Sequence, residues 1–450
     1  MTRPTLVWFR RDLRLHDLPM LLAASDDATA AVAMFVLDDA LLGPSGGPRR
    51  RFLFECLRAL DDDLDGRLLV VRGDPVVVVP AVATEFGAVS VHVSADHGPY
   101  GARRDTAVEA ALDAVPLVRS GSPYAVSPGR IVKSDGTPYR VFTPFRKAWL
   151  DHGWRAPAAT SAGTVTWVDP RGSKARVPIP TAAVEGPALP PAGEAAALRR
   201  WHEFQEDELA GYADGRDRPD LDATSRMSPY LKFGCIHPRT MLRDIAGRSD
   251  DGAATLRSEL AWRDFYADVL HHRPDTARGN YNDRFDAIVH DSGPDADRAF
   301  EAWAEGRTGF PIVDAGMRQL LGEGWMHNRV RMIVASFLTK DLHLPWWRGA
   351  RHFMRYLVDG DLASNQHGWQ WTAGCGTDAA PYFRVFNPTV QGEKFDPEGD
   401  YVRRWVPELR SVPGKRVHRL PDGPPPGYPE PIVDHAHERQ VALDRYARIR

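Results

Sequence analysis

Two stretches in the second half of the chain place unusual combinations of side chains at helical spacing. Each has an indole, a guanidinium and other polar or soft groups at i, i+3, i+4 and i+7: Glu259, Trp262, Arg263 and Tyr266, then Trp325, Asn328, Arg329 and Met332. Residues at these spacings share one face of a helix. One such face is typical of a solvated helix with an internal ion pair. Two faces that both contain tryptophan favour a binding site instead.

A third segment, 359–371, is polar although large aromatic residues flank it. It has the sequence D-G-D-L-A-S-N-Q-H-G-W-Q-W and contains Asp359, Asp361 and Asn365. A carboxylate accepts a hydrogen bond from a ring N–H, an amide donates or accepts, and indoles can enclose the ring. The segment therefore suits a buried, planar, hydrogen-bonding heterocycle. The alternative is a polar loop with two helix caps.

Hydroxyl groups and one cation are grouped at 224–228, T-S-R-M-S. They suit a phosphate group, and a helix N-cap explains the same residues equally well. The sequence has no Walker A loop and no HExxH motif, and Cys56, Cys235 and Cys375 lack metal-ligand or disulfide spacing. We therefore expect no metal site and no disulfide framework, and a reducing, cytoplasmic location.

The elements that must position these side chains differ between the two halves of the chain. In the first ~120 residues, β-branched runs alternate with helical patterns, which predicts a doubly wound parallel sheet with helices on both faces. The predicted strands are 5–9, 31–37, 68–71, 90–93 and 116–118, and the clearest helix covers 49–64. Ligands of such sheets bind beyond the carboxyl ends of the strands. No G-x-G-x-x-G fingerprint follows Phe9, so a standard dinucleotide site is not expected there.

Beyond residue 194 long helical patterns replace the β-branched runs. We expect helices at 195–209, 256–270 and 312–321. Between the halves, 151–193 is rich in Ala, Pro, Gly, Ser and Thr, as in a long surface linker. The sequence thus predicts an α/β domain at 1–125, a linker at 126–194 and a larger all-helical domain at 195–450.

Composition limits the possible functions. The chain has 450 residues, of which 43% are hydrophobic and 26% charged, with 13 tryptophans and a formal net charge of -3. This charge excludes a globally basic nucleic-acid binder but is compatible with a local basic patch. No run approaches the ~18 apolar residues of a spanning helix. The first apolar stretch is also too short for a signal peptide, so we expect neither membrane insertion nor secretion.

Five motifs, in order along the chain, resemble those of the photolyase/cryptochrome family, and most closely its class I cyclobutane pyrimidine dimer photolyases. They are V-W-F-R-R-D-L-R-L-H-D at Val7, T-S-R-M-S-P-Y-L at Thr224, E-L-A-W-R-D-F-Y at Glu259, G-W-M-H-N-R-V-R-M at Gly324 and the segment at Asp359. The resemblance extends from about residue 5 to residue 435. It implies an N-terminal α/β antenna domain, a long linker and a helical FAD-binding domain. It also implies light-driven repair of pyrimidine dimers in UV-damaged DNA by electron transfer from excited, fully reduced FAD.

The resemblance further implies roles for individual residues. The expected FAD-binding positions are Tyr212, Thr224, Ser225, Arg226, Met227, Ser228, Arg263, Arg331, Asp359, Asp361 and Asn365. Arg331 is the expected salt-bridge partner of Asp359. Asn365 is expected to face flavin N5, where the amide favours a repair enzyme over a plant cryptochrome, which has aspartate there.

The substrate side of the site follows in the same way. The positions expected to contact the lesion or its strand are Glu259, Trp262, Asn328, Arg329, Met332, Trp371 and Arg384, with Arg226 as a further phosphate contact. Glu259, Asn328, Met332 and Asn365 form the expected catalytic set. Members that repair (6-4) lesions have histidines at the positions of Asn328 and Met332, so the resemblance favours dimer repair.

The electron-transfer residues depart from the family pattern at one position. Related photolyases pass electrons to the flavin through three tryptophans, and Trp369 and Trp346 match the first two. Gly293 stands at the third position. We expect another aromatic residue to end the path: Trp347, Trp303 or Tyr356.

The antenna domain departs as well. Tyr100 and Gly101 stand where folate-binding relatives have an Asn-Glu pair. The resemblance therefore favours a deazaflavin over methenyltetrahydrofolate as a second chromophore. Arg51 and Asp96 are the expected contacts.

Three alternatives stay open. A cryptochrome-type photoreceptor usually has a C-terminal extension, whereas this sequence ends 15 residues after His435. A (6-4) photolyase would need the missing histidines, and a metabolic flavoenzyme would leave the arginines and paired tryptophans unexplained. We therefore expect a dimer-repairing, FAD-dependent lyase that acts on DNA as a monomer without an obligate protein partner.

Overall fold

The computed structural model describes residues 3–181, 186–378 and 384–449. They form two compact units that interleave along the chain. The first, here called the sheet unit, consists of Met1–Glu185, Pro190–Ala210 and Ser225–Pro274. The second, here called the helical unit, consists of Gly186–Leu189, Gly211–Thr224 and Asp275–Arg450. The predicted domain boundaries at 125 and 194 stay a prediction.

The sheet unit contains a parallel β-sheet. Its strands are β1 Thr5–Phe9, β2 Ala30–Leu37, β3 Leu68–Arg72, β4 Val91–Val93, β5 Leu117–Arg119 and β6 Thr166–Trp167. The order is β3-β2-β1-β4-β5, and β6 pairs with the start of β2. The five predicted strands are confirmed. The sequence missed β6 because two residues show no periodicity, and this strand lies inside the predicted linker.

The strands are apolar because helices cover the sheet on both faces. All residues of β1 are buried, and Val7 pairs in register with Ala33 of β2. The strand order reverses between β1 and β4, so the carboxyl ends of β1, β2 and β4 border the crevice where such sheets bind ligands.

Helices are numbered along the whole chain. Those of the sheet unit are α1 Pro19–Asp27, α2 Asp39–Leu42, α3 Gly47–Asp63, α4 Pro75–Phe86, α5 Pro99–Ala111, α6 Phe142–His152, α7 Glu194–Glu203, α9 Ser228–Phe233, α10 Pro238–Asp244 and α11 Asp251–His272. The helices predicted at 49–64 and 256–270 match α3 and α11. That predicted at 195–209 is α7, which continues as a π-helical turn at Phe204–Glu208. Helix α6 lies in the predicted linker, so this region is not structureless.

Two carboxylates of α11 fix α6 and the chain that precedes it. Asp264 accepts hydrogen bonds from Val126 N (3.0 Å) and Trp149 Nε1 (3.0 Å), and Asp268 accepts one from Gly129 N (2.7 Å). They lie four residues apart and therefore on one face of α11. Burial raises the pKa of Asp264 to about 6, against the lowering effects of Arg263 and the two donors.

The helical unit has its own apolar core. Its helices are α8 Tyr212–Gly215, α12 Pro294–Ala304, α13 Pro311–Glu323, α14 Asn328–Ser336, α15 Trp346–Tyr356, α16 Leu362–Ala373, α17 Pro388–Phe395, α18 Asp400–Trp405 and α19 His435–Ala447. The helix predicted at 312–321 is α13. Helices α15 and α16 approach closely at Gly349, where a Cβ atom would lie 2.1 Å from Trp369. Among the described residues, no helix is both long and apolar enough to cross a membrane.

Two of the three cysteines lie side by side although 179 residues separate them in the sequence. The Sγ atoms of Cys56 and Cys235 are 3.5 Å apart in the core of the sheet unit. This distance is too long for a disulfide, so both are free thiols. Burial raises the pKa of the Cys56 thiol well above its ordinary value.

Candidate active site

Asp359 occupies a buried position just before α16. Its Oδ2 pairs with Arg331 Nη2 at 2.8 Å, which confirms the predicted salt bridge. Arg331 Nε also donates to Met326 O at 2.8 Å, so the guanidinium is fixed at two points. The other carboxylate oxygen, Oδ1, is buried and has no hydrogen-bond partner among the described residues. A buried acceptor without a donor destabilises the folded state, and a hydrogen-bond donor of a bound ligand would remove that cost.

Asp361 and Asn365 lie one turn apart at the start of α16. Asp361 is the N-cap, and its Oδ1 accepts from Ser364 N at 3.2 Å. The cap alternative thus holds for Asp361 but not for Asp359. Asn365 Nδ2 donates to Ala350 O (3.1 Å) and to Gln366 Oε1 (2.8 Å), so its amide nitrogen is engaged by protein acceptors.

Helix α14 carries only part of the second predicted face. The helix begins at Asn328, because His327 is its N-cap and accepts from Arg329 N at 3.2 Å. Trp325 therefore lies before the helix, buried in the core, and the four-residue face predicted from spacing is wrong at its first member. Asn328 and Met332 do share a face, one turn apart.

Arg329 is held by the protein itself. Its Nη2 and Nε lie 2.7 and 3.3 Å from the two carboxylate oxygens of Asp217, and the guanidinium lies 4.4 Å from the ring centroid of Phe395. A phosphate contact at Arg329 would have to compete with this ion pair.

Helix α11 carries the whole of the first predicted face. Glu259, Trp262, Arg263 and Tyr266 are all half-buried. Phe142 stacks on Trp262 with ring centroids 3.6 Å apart and an interplanar angle of 9°. Stacking of this kind fixes the orientation of the indole.

Arg263 on the same helix binds main chain. Its Nη1 donates to Pro123 O at 2.8 Å and its Nη2 to Leu231 O at 3.2 Å. The guanidinium also lies 4.6 Å from the ring centroid of Tyr124. These contacts give Arg263 a structural role, and its expected place in the cofactor pocket stays a prediction.

The segment 224–228 leads into helix α9, and no side-chain cap of that helix comes from its hydroxyl groups. Helix α9 has Met227 as its N-cap residue, without a side-chain cap. Ser225 O accepts from Arg200 Nε at 3.1 Å, and Arg226 adopts a left-handed conformation with φ of +53°. A non-glycine residue in this region costs free energy and is typical of functional loops. Thr224 and Tyr212, the first residue of α8, belong to the helical unit.

Comparison with known proteins identifies the family. Residues 5–162 match the family model described as DNA photolyase, and residues 255–448 match that described as FAD binding domain of DNA photolyase. The deoxyribodipyrimidine photo-lyase of Streptomyces griseus is 43% identical, over 96% of this chain and 97% of the relative. The chain belongs to the photolyase/cryptochrome family.

Solved structures of this family have the same fold. A bacterial class III photolyase from Agrobacterium tumefaciens matches with a TM-score of 0.91 and 38% identity. The match covers 100% of this chain and 98% of the photolyase chain. A cryptochrome from Synechocystis sp. PCC6803 has a TM-score of 0.88 at 28% identity, with 98% of both chains covered. Because both kinds of protein match along their whole length, the fold does not separate photolyase from cryptochrome.

The residues of this photolyase/cryptochrome chain fit FAD where they can be tested. Asp359 Oδ1 is a buried acceptor that needs a donor, and FAD offers ring N–H and ribityl hydroxyl donors. The amide nitrogen of Asn365 is engaged by the protein, which leaves its Oδ1 as the acceptor for a ring N–H. Burial also lowers the pKa of His367, two residues on, to about 4, so this imidazole is neutral at pH 7.

Buried aromatic residues of the helical unit surround the two predicted electron-transfer tryptophans. Trp369 lies 5.0 Å from Phe353 and 6.1 Å from Trp303, measured between ring centroids. Trp346 donates to Asn280 Oδ1 at 2.9 Å and lies 6.0 Å from Trp347. Each of the two tryptophans thus has a further indole beside it, Trp303 next to Trp369 and Trp347 next to Trp346.

A tryptophan at Gly293, where the resemblance predicts the third one, would strain the backbone. Gly293 is the N-cap of α12 and has φ of +88°, in the left-handed region that a tryptophan rarely adopts. A Cβ atom there would meet no neighbour within 4 Å, so the obstacle is the backbone conformation and not space.

The carboxyl edge of the β-sheet carries charged residues. Asp96, after β4, accepts from Gly98 N (3.0 Å) and pairs with Arg104 Nη2 (3.3 Å). Burial alone would raise the pKa of Asp96, but Arg10, Arg11 and Arg104 hold it below its ordinary value. The predicted contact Arg51 is half-buried in α3.

Tyr100 and Gly101, which stand where the resemblance predicts the folate-type pair, both adjoin this edge. Tyr100 Oη donates to Asp38 Oδ2, and burial together with this bond raises the pKa of Tyr100 to about 12. A Cβ atom on Gly101 would lie 2.1 Å from the Asp96 carboxylate. Only glycine permits Asp96 to occupy this place.

Several residues that anchor α16 or orient Trp262 were missed in the sequence. Gln366 and Gln370 of α16 bind the main chain of Ala277 and Thr276, and Phe142 stacks on Trp262. The glutamines had a signal, because they stand at i and i+4 in the polar segment. Phe142 had none, because it is distant in the sequence.

Proposed function

We propose that this protein splits cyclobutane pyrimidine dimers in UV-damaged DNA in a blue-light-driven reaction. The observation that carries the proposal is its likeness, over nearly the whole chain, to the photo-lyase of Streptomyces griseus. Asn328 and Met332 on one face of α14 support it, because neither can supply the proton that (6-4) repair requires of a histidine.

The cofactor in this proposal is FAD, which when bound and reduced supplies, on blue-light excitation, the electron that opens the cyclobutane ring. Asp359 accepts hydrogen bonds from the ligand through Oδ1, and Arg331 holds that carboxylate in place. Asn365 presents its amide oxygen to the ring N–H of the reduced form.

The chain's own residues bind the lesion. Glu259 hydrogen-bonds to the dimer, and Trp262 and Trp371 pack against its saturated rings. The stack with Phe142 orients Trp262 before the substrate arrives, which lowers the entropy cost of binding. A dimer stacks poorly in the duplex, so flipping it into a pocket costs little.

Phosphate contacts position the strand without reading its sequence. We propose Arg384, which is exposed, as a contact for the phosphates of the strand, and Arg226, which is half-buried, as a contact beside the cofactor phosphates. A phosphate at Arg329 would have to compete with Asp217. We propose that the protein acts as a monomer in the cytoplasm.

A repair assay tests the function. Purified FAD-loaded protein is mixed with DNA that contains either dimers or (6-4) lesions, and each sample is kept under blue light or in darkness. We expect light-dependent loss of dimers alone. Loss of (6-4) lesions, or no repair of either lesion, would contradict the proposal and favour a (6-4) photolyase or a cryptochrome-type photoreceptor.

We infer that Trp347 replaces the missing third tryptophan. It is half-buried and its ring lies 6.0 Å from that of Trp346 and 5.4 Å from that of His290. Trp303 is fully buried, and its Nε1 donates to Val334 O at 3.0 Å. An oxidised tryptophan at the end of a path is regenerated by outside donors, so the accessible ring is the better terminus.

Three phenylalanine variants test this path. Under blue light with an external donor, Trp346→Phe and Trp347→Phe are expected to lose most of the photoreduction of bound FAD, measured by transient absorption. Trp303→Phe is the control and is expected to keep it. Normal photoreduction in Trp346→Phe, or its loss only in Trp303→Phe, would show that electrons reach the flavin through Trp303 instead.

For the antenna we propose a deazaflavin at the carboxyl edge of the sheet, with Asp96 as a contact. The support is Tyr100, which binds Asp38 where folate-type relatives have another residue. A chromophore extracted from the protein that absorbs as a folate would contradict this assignment.

A further inference from the structure

In the described parts of the chain, the side-chain amide of Asn365 hydrogen-bonds to two neighbours, Ala350 and Gln366. Gln366 Nε2 donates to Ala277 O at 2.7 Å. A main-chain carbonyl accepts and cannot donate, so it fixes which end of the Gln366 amide is nitrogen. The other end, Oε1, must then face Asn365, and it lies 2.8 Å from Asn365 Nδ2.

The orientation of the Gln366 amide in turn fixes the orientation of the Asn365 amide. Its Nδ2 meets two acceptors, Gln366 Oε1 and Ala350 O at 3.1 Å. If the Asn365 amide were rotated by 180°, its oxygen would face both acceptors, and two hydrogen bonds would become two repulsive contacts. Its Oδ1 is therefore the atom that points away from them. Ala350 belongs to α15, which Gly349 allows to lie close to α16.

We propose that Gln366 is a positioning residue that sets the amide of Asn365 so that its oxygen faces the cofactor. The inference rests on the proposed function in one respect, the role of Asn365 beside the reduced flavin. If the amide nitrogen of Asn365 faced the flavin instead, its N–H would meet the N5–H of reduced FAD, and two donors cannot hydrogen-bond to each other. The side chain of Gln366 hydrogen-bonds to Asn365 and Ala277, so in this proposal it acts through Asn365.

The test variant is Gln366→Met, which keeps the length of the side chain and removes both hydrogen bonds. The readout is the rate at which light-reduced, bound FAD is reoxidised by air in the dark, together with its midpoint potential. Loss of one fixed hydrogen bond is worth on the order of a tenfold change, so we expect about tenfold faster reoxidation.

The matched control is Gln370→Met on the next turn of α16. Gln370 binds the same loop, through Thr276 O (2.8 Å) and Tyr281 N (2.8 Å), but is not a partner of Asn365. We expect this variant to lose stability and to keep the wild-type reoxidation rate. Equal acceleration in both variants would show that Gln366 acts by anchoring the loop, and would overturn the proposal.

A double-variant cycle keeps the proposal testable if Gln366→Met is unstable. In an Asn365→Ala background, Gln366→Met is expected to change the reoxidation rate no further, because the amide that it positions is gone. Independent, additive effects would overturn the proposal. The readout requires no lesion, so failure of dimer repair in the wild type would contradict the proposed function and leave this result standing.

Discussion

Replacing Arg331 with methionine is expected to lower the free energy of unfolding by about 3–5 kcal/mol, because it leaves a buried carboxylate without its counter-ion. Arg331 and Asp359 are joined at 2.8 Å, and the Asp359 side chain is only 2% exposed. We also expect the variant to be purified with little FAD, since Asp359 Oδ1 then lacks a fixed position. Urea unfolding and the absorbance of FAD per protein measure the two effects.

Arg329→Met provides a matched control two residues away on the same helix. Its ion pair with Asp217 is also short, but the two side chains are 19% and 37% exposed. A partly solvated pair is worth about 0–1 kcal/mol, so this variant should stay close to the wild type. Adding Asp359→Asn to Arg331→Met should recover part of the loss. If Arg331→Met and Arg329→Met lowered the free energy of unfolding equally, the burial of Asp359 would not explain the destabilisation.

Replacing Asp264 with asparagine is expected to change how stability depends on pH. The folded-state pKa of Asp264 is about 6, above the ordinary 3.8, because the carboxylate is buried. Folding therefore favours its protonated form, and this contribution is fully present below about pH 4 and is lost as the pH rises through 6. Two pKa units correspond to roughly 3 kcal/mol. Relative to the wild type, Asp264→Asn should thus gain about 3 kcal/mol between pH 4 and pH 7.

The measurement is urea unfolding at a series of pH values. The result is the change with pH in the stability difference between Asp264→Asn and the wild type. The amide nitrogen that the variant introduces is a buried donor, and its cost to stability does not depend on pH. Asp251→Asn, at the exposed start of the same helix, is the control for removing a carboxylate from α11. A stability difference between Asp264→Asn and the wild type that stays constant from pH 4 to pH 7 would contradict the burial of an ionised Asp264.

The sequence predicted the parallel sheet well because strands buried on both faces are continuous apolar runs, as in Thr5–Phe9. Long amphipathic helices such as α11 and α13 were equally clear. Strand β6 and helix α6 were missed because the surrounding Pro- and Gly-rich composition indicated a loop. Trp325 was placed on α14 because spacing alone does not show where a helix begins; His327 fixes that point as the N-cap.

The site was predicted at the level of its residues but not of their contacts. The pairing of Arg331 with Asp359 followed from family resemblance, and the structure has it. The main-chain bonds of Arg263 and the pair of Arg329 with Asp217 could not be foreseen, because both depend on segments distant in the sequence. An arginine on a polar face has the same pattern whether it binds a phosphate, a carboxylate or a carbonyl.

Interleaving of the two units has a consequence for the synthesis of the protein. The sheet is complete once β6 has formed, yet Val126 and Gly129 find their hydrogen-bond acceptors only in α11. A ribosome adds about 5–20 residues per second, so the stretch from 195 to 274 takes roughly 4–16 s. During this interval the nascent sheet unit is unfinished and its apolar surface is open to chaperones or aggregation. Slow codons between α7 and α11 would lengthen that exposure, and the yield of soluble protein should depend on them.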